Sequence, residues 1–184
     1  MKYIIKTGEH ESKPRTWGLW KDKIILEREV IFHESCKYTN SGQDIDDVNK
    51  LFGIGFFPKG PIDAFIGRWI TGKYTDEDFH HTDSARFGWT YNPVKANIIL
   101  WLYCYVDGNR KVMDMLHVPM YVPITCRITI SPSGYQFTTH TANLTFTSTP
   151  VYFSHKKHWS FLLNPYFGGN LTAPHDVEIT LNKI

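Results

Sequence analysis

Side chains that could do chemistry recur with a spacing of two in two stretches of the sequence. Ser84 and Arg86 are separated by one residue, and so are Tyr103 and Tyr105. Because side chains alternate between the two faces of a β-strand, each pair would share a face, with about 7 Å between its members. A guanidinium offers a planar fork of donors that matches a carboxylate, and a phenol can give or accept a proton. The two pairs together suit recognition of an acidic sugar.

The residues between these positions predict which face is buried. They are apolar in both stretches: Ala85, Phe87, Trp89, Ile98, Leu100, Leu102, Cys104 and Val106. If the stretches pair through the turn at Asn92-Pro93, the Ser84 and Arg86 strand lies beside a strand that presents Trp101 and two tyrosines. The alternative is that these rings are cross-strand packing pairs with a stacked surface arginine, a pattern that has no function of its own.

Strand-type segments dominate the rest of the chain. Short runs rich in β-branched and aromatic residues cover residues 23–32, 84–90, 97–106, 125–130, 135–139, 143–147, 151–154, 160–163 and 177–181. Asp107-Gly108 is typical of a type I′ hairpin turn, and Ser131-Pro-Ser-Gly134 indicates a second hairpin. Many short strands without alternating helices predict an all-β fold, an antiparallel β-sandwich or jelly roll. No linker interrupts the pattern, so we expect one domain over residues 1–184.

Two segments depart from this pattern. Residues 44–51 predict a short helix with an acidic first turn. Residues 53–83 contain five glycines and two prolines without alternation, which predicts one long irregular loop of the kind that is often functional. That loop ends in His80-His81, which we expect to lie beside the Arg86 face and to contact substrate. An imidazole there could supply a proton near neutral pH.

Composition excludes several classes of protein. The 184 residues are 42% hydrophobic and 15% aromatic, and 20 Lys and Arg residues nearly balance 18 Asp and Glu residues. Intrinsic disorder requires few aromatic residues and a strong charge imbalance. A nucleic-acid partner normally requires a clustered basic excess, so we expect none. The longest candidate membrane span, residues 98–106, is far shorter than the roughly 18 apolar residues needed, so we expect no membrane partner.

Export and redox state follow from the N-terminus and the cysteines. The N-terminal apolar run has only three residues, too short for a secretory signal peptide, so we expect synthesis in the cytoplasm without Sec-type export. The three cysteines have no CxxC spacing, and we expect them to be reduced and buried: Cys36, Cys104 and Cys126.

Histidine clusters and a Ser-His-Asp set are the alternative sites. The chain contains His80-His81, His155-x-x-His158 and His175-Asp176. Two ligands on one face of a strand need a spacing of two, which His-x-x-His lacks, so we expect no metal and no cofactor. Ser84, His81 and Asp83 could be named as a triad, but there is no Gly-x-Ser-x-Gly elbow. The paired glycines of Tyr166-Phe-Gly-Gly169 are typical of positive φ or close backbone approach.

The order of four short motifs resembles a known family. The motifs are Lys50-Leu-Phe-Gly53, Ser84-Ala-Arg-Phe-Gly-Trp89, Leu102-Tyr-Cys-Tyr105 and Tyr166-Phe-Gly-Gly169. They are similar to the ordered motifs of the jelly-roll polysaccharide lyases that cleave alginate and glucuronan, and the resemblance covers roughly residues 46–181. It implies a concanavalin-like jelly roll and an acidic polysaccharide partner.

The resemblance also implies roles for the site residues. Arg86, with Lys50, would neutralise the carboxylate of a uronate so that its C5 proton becomes acidic. Tyr103 or Tyr105 would act as base or acid, which requires that neighbouring cations lower the phenol pKa from about 10. Ser84 would orient the carboxylate. Further substrate contacts would come from His80, His81 and Trp101.

The sequence is also compatible with a second function. The same fold serves as a non-catalytic carbohydrate-binding or structural protein, for example in the head or tail of a bacteriophage, where the chain would contact copies of itself or other virion proteins. Such a protein is made in the cytoplasm and released by lysis, so this alternative needs no signal peptide.

Overall fold

Two antiparallel sheets make up the described part of the chain. The structure is a computed structural model, and it describes residues 1–22, 25–39, 47–57, 76–152 and 159–184. Within these ranges the sheets enclose one cluster of buried apolar side chains that draws on both of them, in a β-sandwich of the jelly-roll type. The prediction of an antiparallel all-β jelly roll is therefore confirmed.

The first sheet brings the two ends of the chain together. Its seven strands, in spatial order, are β11 (Thr145–Thr147), β10 (Gly134–His140), β9 (Ile124–Ser131), β4 (Ile25–Phe32), β13 (Val177–Lys183), β1 (Lys2–Ile5) and β2 (Ser12–Lys13). The last strand pairs with β1, as in Tyr3 opposite Ile179. A short 3-10 helix, Glu34–Cys36, follows β4.

The second sheet carries the residues that the sequence singles out. Its six strands, in spatial order, are β3 (Leu19–Lys21), β12 (Trp159–Leu163), β5 (Asn49–Phe56), β6 (Ser84–Asn92), β7 (Asn97–Val106) and β8 (Asn109–Val118). A seven-residue helix, α1 (Asp76–Thr82), directly precedes β6. Helix α1 therefore reaches the end of the sheet at which β6 begins.

Alternation along β6 and β7 sorts the side chains as predicted. Phe87 and Trp89 are fully buried, and so are the even-numbered residues of β7 from Ile98 to Cys104. The three cysteines are free and buried. Burial of these side chains is the main favourable term for the fold, at about 1.5–3 kcal/mol for each large apolar side chain.

The predicted turns are also found. Asp107 and Gly108 have φ angles of 51° and 78°, the positive values that a type I′ turn needs. Gly134, with φ of 122°, closes the hairpin between β9 and β10. At the third turn, the Asn92 side chain accepts hydrogen bonds from the backbone N–H groups of Val94 and Lys95.

Two predictions about irregular segments are wrong. Residues 49–51 are not helical, because they begin strand β5 and are fully or almost fully buried in the sheet. Residues 53–56 continue that strand, and residues 76–82 form helix α1, so neither end of the predicted long loop is a loop. The middle of that loop, residues 58–75, lies outside the described residues, as do residues 44–46, 23–24 and 153–158. No helix within the described ranges is long and apolar enough to cross a bilayer.

Candidate functional site

The outward face of the six-stranded sheet forms the floor of a cleft of about 510 Å³. On this floor Arg86 of β6 lies directly opposite Tyr103 of β7. In the neighbouring pair, Ser84 opposite Tyr105, only Tyr105 lines the cleft. The predicted pairing of these two strands therefore places one guanidinium beside two phenols. The Tyr103 and Tyr105 ring centroids are 5.9 Å apart.

A β-bulge brings Lys50 onto the same floor. In a regular strand Lys50 and Phe52 would share a face, but the pairing of β5 with β6 shifts register between them. Phe52 is 1% exposed and packs in the core, whereas Lys50 lies opposite Gly88 and lines the cleft. The extra residue of the bulge, Leu51, is fully buried.

Gly53 makes room for the Arg86 side chain. It pairs with Arg86 across β5 and β6, and a Cβ at position 53 would lie 2.5 Å from the Arg86 Cγ and 2.3 Å from the Ala85 carbonyl oxygen. Real Cβ atoms do not approach other atoms this closely. The missing side chain therefore lets the Arg86 stem lie across β5.

Arg86 is a buried cation with incomplete hydrogen bonding. Only 7% of the residue is exposed, and its Nε atom has no hydrogen-bond partner. Burial lowers its pKa to about 10, although the nearby phenols of Tyr103, Tyr105 and Tyr166 favour the charge. The guanidinium still carries its charge at neutral pH, so desolvation has a cost that no described carboxylate offsets.

Lys50 is held against the loop that follows β12. Its Nζ donates to the Gly168 carbonyl oxygen at 2.6 Å and lies 5.2 Å from the centroid of the Tyr103 ring. Burial lowers the Lys50 pKa to about 8; Asp47 opposes that shift, and the charges of Arg86 and Arg110 add to it. Lys50 is therefore a cation at pH 7 that loses its proton within a physiologically accessible range.

The Gly168 turn is fixed by two further side chains. Gly168 has a φ of 65°, as the paired glycines predict, and its N–H donates to the Asn49 side chain at 2.6 Å. The Asp47 carboxylate accepts hydrogen bonds from the backbone N–H groups of Gly169 and Asn170. Residues immediately before and at the start of β5 therefore hold the wall of the cleft in place.

The two tyrosines of the floor have different surroundings. Tyr103 is 5% exposed, and its pKa is raised to about 12, first by burial and then by Tyr105, against a smaller opposing effect of Arg110. The predicted lowering of a phenol pKa is therefore wrong for Tyr103, because desolvation outweighs the neighbouring cations. Tyr105 is half-buried, and its ring centroid lies 5.1 Å from that of His81.

The histidine pair lies at the mouth of the cleft but in a helix. His80 and His81 occupy the last turn of α1 instead of a loop, with ring centroids 4.1 Å apart, and both line the cleft. Their predicted position beside the Arg86 face therefore corresponds to the structure, while the local conformation does not.

Ser84 and Trp101 lie outside the cleft lining. Ser84 is fully buried, and its hydroxyl donates to the His80 carbonyl oxygen at 2.6 Å, so its proton is not directed at a ligand in the cleft. It fastens helix α1 to β6 instead. Trp101 lies opposite Gly88, in the same row as Lys50, and its indole donates to the Thr90 hydroxyl at 2.8 Å. Neither Ser84 nor Trp101 is among the residues that line the cleft.

The Ser84 hydroxyl is not poised as the nucleophile of a triad. It donates its hydrogen bond to the His80 carbonyl oxygen and not to an imidazole nitrogen. In the described ranges no group of three or more His, Cys, Asp or Glu side chains could hold a metal ion. His155 and His158 lie outside the described residues.

Several lining residues were not predicted from the sequence. They are Glu11, Arg15, Thr16, Trp17, Asp47, Phe57, Arg110, Phe161, Asn164 and Tyr166. Only Arg110 could have been found from the sequence. The Asp107-Gly108 turn predicts a tight hairpin, and such a hairpin places Arg110 opposite Tyr105, as the structure shows. Tyr166 belongs to the Tyr166-Phe-Gly-Gly169 turn, and its backbone pairs with that of Lys50 through two hydrogen bonds of 2.8 and 2.9 Å.

Comparisons with known proteins show no family. No protein-family model matches the chain, and no curated protein matches it in sequence. The chain is similar in structure to a Scytalido-glutamic peptidase, crystallised with a peptide-based transition state analog, with a TM-score of 0.38 and 8% identity. It is similar, with the same TM-score and identity, to the kappa-carrageenase of Pseudoalteromonas carrageenovora, crystallised with an oligotetrasaccharide of kappa-carrageenan.

The two structural matches cover different shares of the other proteins' chains. The match covers 100% of this chain but only 63% of the peptidase chain, and 98% of this chain and 76% of the carrageenase chain. The chain therefore spans less than two thirds of the peptidase. At this similarity the likeness concerns the fold type alone.

Proposed function

We propose that the cleft binds an acidic, uronate-containing polysaccharide and cleaves it by β-elimination. The observation that carries the proposal is that Lys50, Arg86 and Arg110 all face the cleft, and none of them forms an ion pair with a carboxylate among the described residues. Lys50 and Arg86 are buried, whereas Arg110 is exposed, and it is buried cations that are normally paired. A carboxylate of the ligand would supply the missing partner, and a guanidinium binds it with two parallel hydrogen bonds.

The walls of the cleft favour a sugar chain over a simple anion. The aromatic rings of Phe57, Tyr105, Phe161 and Tyr166 line it together with hydroxyl and amide groups. Flat apolar rings with a few placed polar groups are typical of sites for organic ligands, and aromatic side chains pack well against the C–H faces of sugars.

The groups on the floor suit the steps of a β-elimination. Arg86 and protonated Lys50 would neutralise the uronate carboxylate and so stabilise negative charge that develops when C5 loses its proton. Tyr105 would pass its own phenolic proton to the neighbouring His81 imidazole, and the resulting phenolate would take the C5 proton. The C5–H electron pair would form the C4=C5 double bond, and the C4–O4 bond would break. Tyr103 would protonate the departing O4, a role that suits a phenol whose raised pKa keeps it protonated.

Incubation with defined polysaccharides tests both parts of the proposal. Polymannuronate, polyguluronate and polyglucuronate should bind and give rising ultraviolet absorbance from the unsaturated uronate product, whereas a neutral glucan should do neither. Binding should weaken with added salt, since the attraction is electrostatic. Binding without product would favour the non-catalytic carbohydrate-binding alternative, and absence of binding to every polyuronate would refute the proposal.

The pH dependence of binding should report on Lys50. Its pKa of about 8 means that raising the pH through 8 removes a positive charge from the cleft, so affinity for a carboxylate should fall above that pH. A bound carboxylate stabilises the ammonium, so binding near pH 8 should take up protons. Calorimetric titration in buffers of different ionisation enthalpy measures both effects.

The variant Lys50→Met supplies the control for this pH dependence. It should bind weakly at pH 7 and show no loss of affinity between pH 7 and 9. An unchanged loss of affinity in that variant would assign the titration to another group.

A further inference from the structure

Trp17 is a large apolar side chain that the fold leaves in solvent. It lies in the segment between β2 and β3, lines the cleft, and is 91% exposed. A scattered exposed apolar side chain needs no explanation. Trp17 differs because it stands at the edge of a cleft that already contains several aromatic rings.

The backbone on both sides of Trp17 is pinned to strand β12 and the residue that follows it. The Thr16 N–H and hydroxyl both donate to the Asn164 side-chain oxygen, at 3.0 and 2.8 Å, and the Asn164 amide donates back to the Thr16 carbonyl at 2.9 Å. The Gly18 carbonyl accepts the Leu162 N–H at 2.9 Å. The indole is therefore carried on an ordered backbone, which lowers the entropic cost of using it for binding.

The structural role of an indole in this segment belongs to Trp20. A Cβ at position 18 would lie 2.4 Å from the Trp20 ring, so that ring covers Gly18 and packs against the core. Trp17 contributes nothing comparable to the core, because almost all of its surface is exposed. Stabilisation of the fold therefore does not explain why the Trp17 indole is held in one place and exposed.

We propose that Trp17 forms a separate sugar-binding subsite, in which its indole stacks on a ring of the polysaccharide distant from the one held by Arg86. This inference rests on the function proposed above. Strand β3, which follows Trp17, is three strands away from β6, a distance of roughly 14 Å at the usual strand spacing. That is longer than one sugar ring, so a ligand that contacts both residues must contain several rings.

A size series of uronate oligosaccharides tests the subsite. Affinities of the wild-type protein, Trp17→Ala and Trp17→Phe are measured by calorimetric titration with disaccharide to octasaccharide. For wild type, affinity should rise with length and then level off. Trp17→Ala should lower affinity for the octasaccharide about tenfold, as loss of one stacking partner does in single-stranded nucleic-acid complexes. It should leave the disaccharide affinity unchanged, and Trp17→Phe should retain most of the octasaccharide affinity.

Controls separate the subsite from the fold and from the proposed function. Tyr152→Ala removes another exposed ring, 64% exposed and outside the cleft, and should change no affinity. Equal melting temperatures of the variants exclude a folding defect. If Trp17→Ala binds every length as wild type does, the subsite is refuted while the function proposed for the floor stands. If wild type binds no polyuronate, both proposals fail.

Discussion

Replacing Arg86 with methionine should stabilise the folded protein and strongly weaken its binding to polyuronates. Arg86 is 7% exposed, its Nε atom has no partner, and no described carboxylate pairs with it. Methionine fills much of the same space without a charge. Replacing buried charged groups by apolar residues of similar volume is often stabilising by about 1–4 kcal/mol, and we expect a gain of about 1–2 kcal/mol in the free energy of unfolding.

The opposite effect on binding follows from the same burial. A carboxylate that enters the cleft would meet Arg86 where little water competes for it. Loss of one partner of a buried, hydrogen-bonded charge pair costs about 2–5 kcal/mol, so affinity should fall at least about 30-fold. A residue that costs stability and is needed for binding is typical of functional sites, where activity and stability are opposed.

Denaturant unfolding and calorimetric titration measure the two effects, with Arg127→Met as the matched control. Arg127 lies on β9 of the other sheet, is 40% exposed at its side chain, and forms a 2.8 Å ion pair with Glu27. The control removes the same charge but should leave affinity unchanged and stability unchanged or slightly lower. A destabilised Arg86→Met that still binds polyuronates would show that the guanidinium is structural.

The sequence predicts the parts of this site that depend on neighbouring residues. The alternation in β6 and β7 and the turn between them are local, and together they place Arg86 opposite Tyr103. The core face follows from the same alternation, because a one-residue slip would expose Phe87 and Trp89. Strand alternation and the turn sequence therefore predict that Arg86 and Tyr103 lie side by side and that the opposite face of both strands is buried.

Lys50 shows where such reasoning stops. Alternation alone would place it on the face of Phe52, in the core, and residues 44–51, with their acidic first turn, predict a helix that includes it. The bulge at Leu51 reverses its direction, and the bulge depends on how β5 pairs with β6, more than 30 residues further along the chain. Only the resemblance of the Lys50-Leu-Phe-Gly53 motif to the lyases pointed to this residue.

The other lining residues that the sequence does not predict are positioned by contacts between distant segments of the chain. Asp47 binds the N–H of Gly169, 122 residues away, and Thr16 is tied to Asn164, 148 residues away. Each pairing is set by the strand order of the sandwich and leaves no periodic trace in the sequence. Conversely, Ser84 is equivalent to Arg86 by spacing, but its hydroxyl donates a hydrogen bond to the His80 carbonyl oxygen of helix α1.

Removing either phenol hydroxyl of the floor should greatly slow turnover while it preserves binding. Tyr105→Phe and Tyr103→Phe each keep the ring and lose the group that would move a proton, and general acid or base catalysis typically contributes 10²–10⁴-fold. We therefore expect the rate of unsaturated product formation to fall at least about 100-fold in either variant. Affinity for an octasaccharide should change little, since stacking and the ion pair with Arg86 remain. Tyr152→Phe, which removes an exposed hydroxyl outside the cleft, is the control.

The pH profiles of the residual activities distinguish the two roles. A Tyr103 phenol with a pKa of about 12 stays protonated through the neutral range. Its loss should therefore lower the rate by the same factor at every pH and leave the shape of the pH–rate profile unchanged. Tyr105 would act as a base by passing its own proton to His81, so its loss should remove the dependence of the rate on an imidazole that must be neutral to receive that proton. If both variants turn over substrate at the wild-type rate, then neither phenol transfers a proton, and the acid–base assignment is wrong even if the cleft still binds polyuronates.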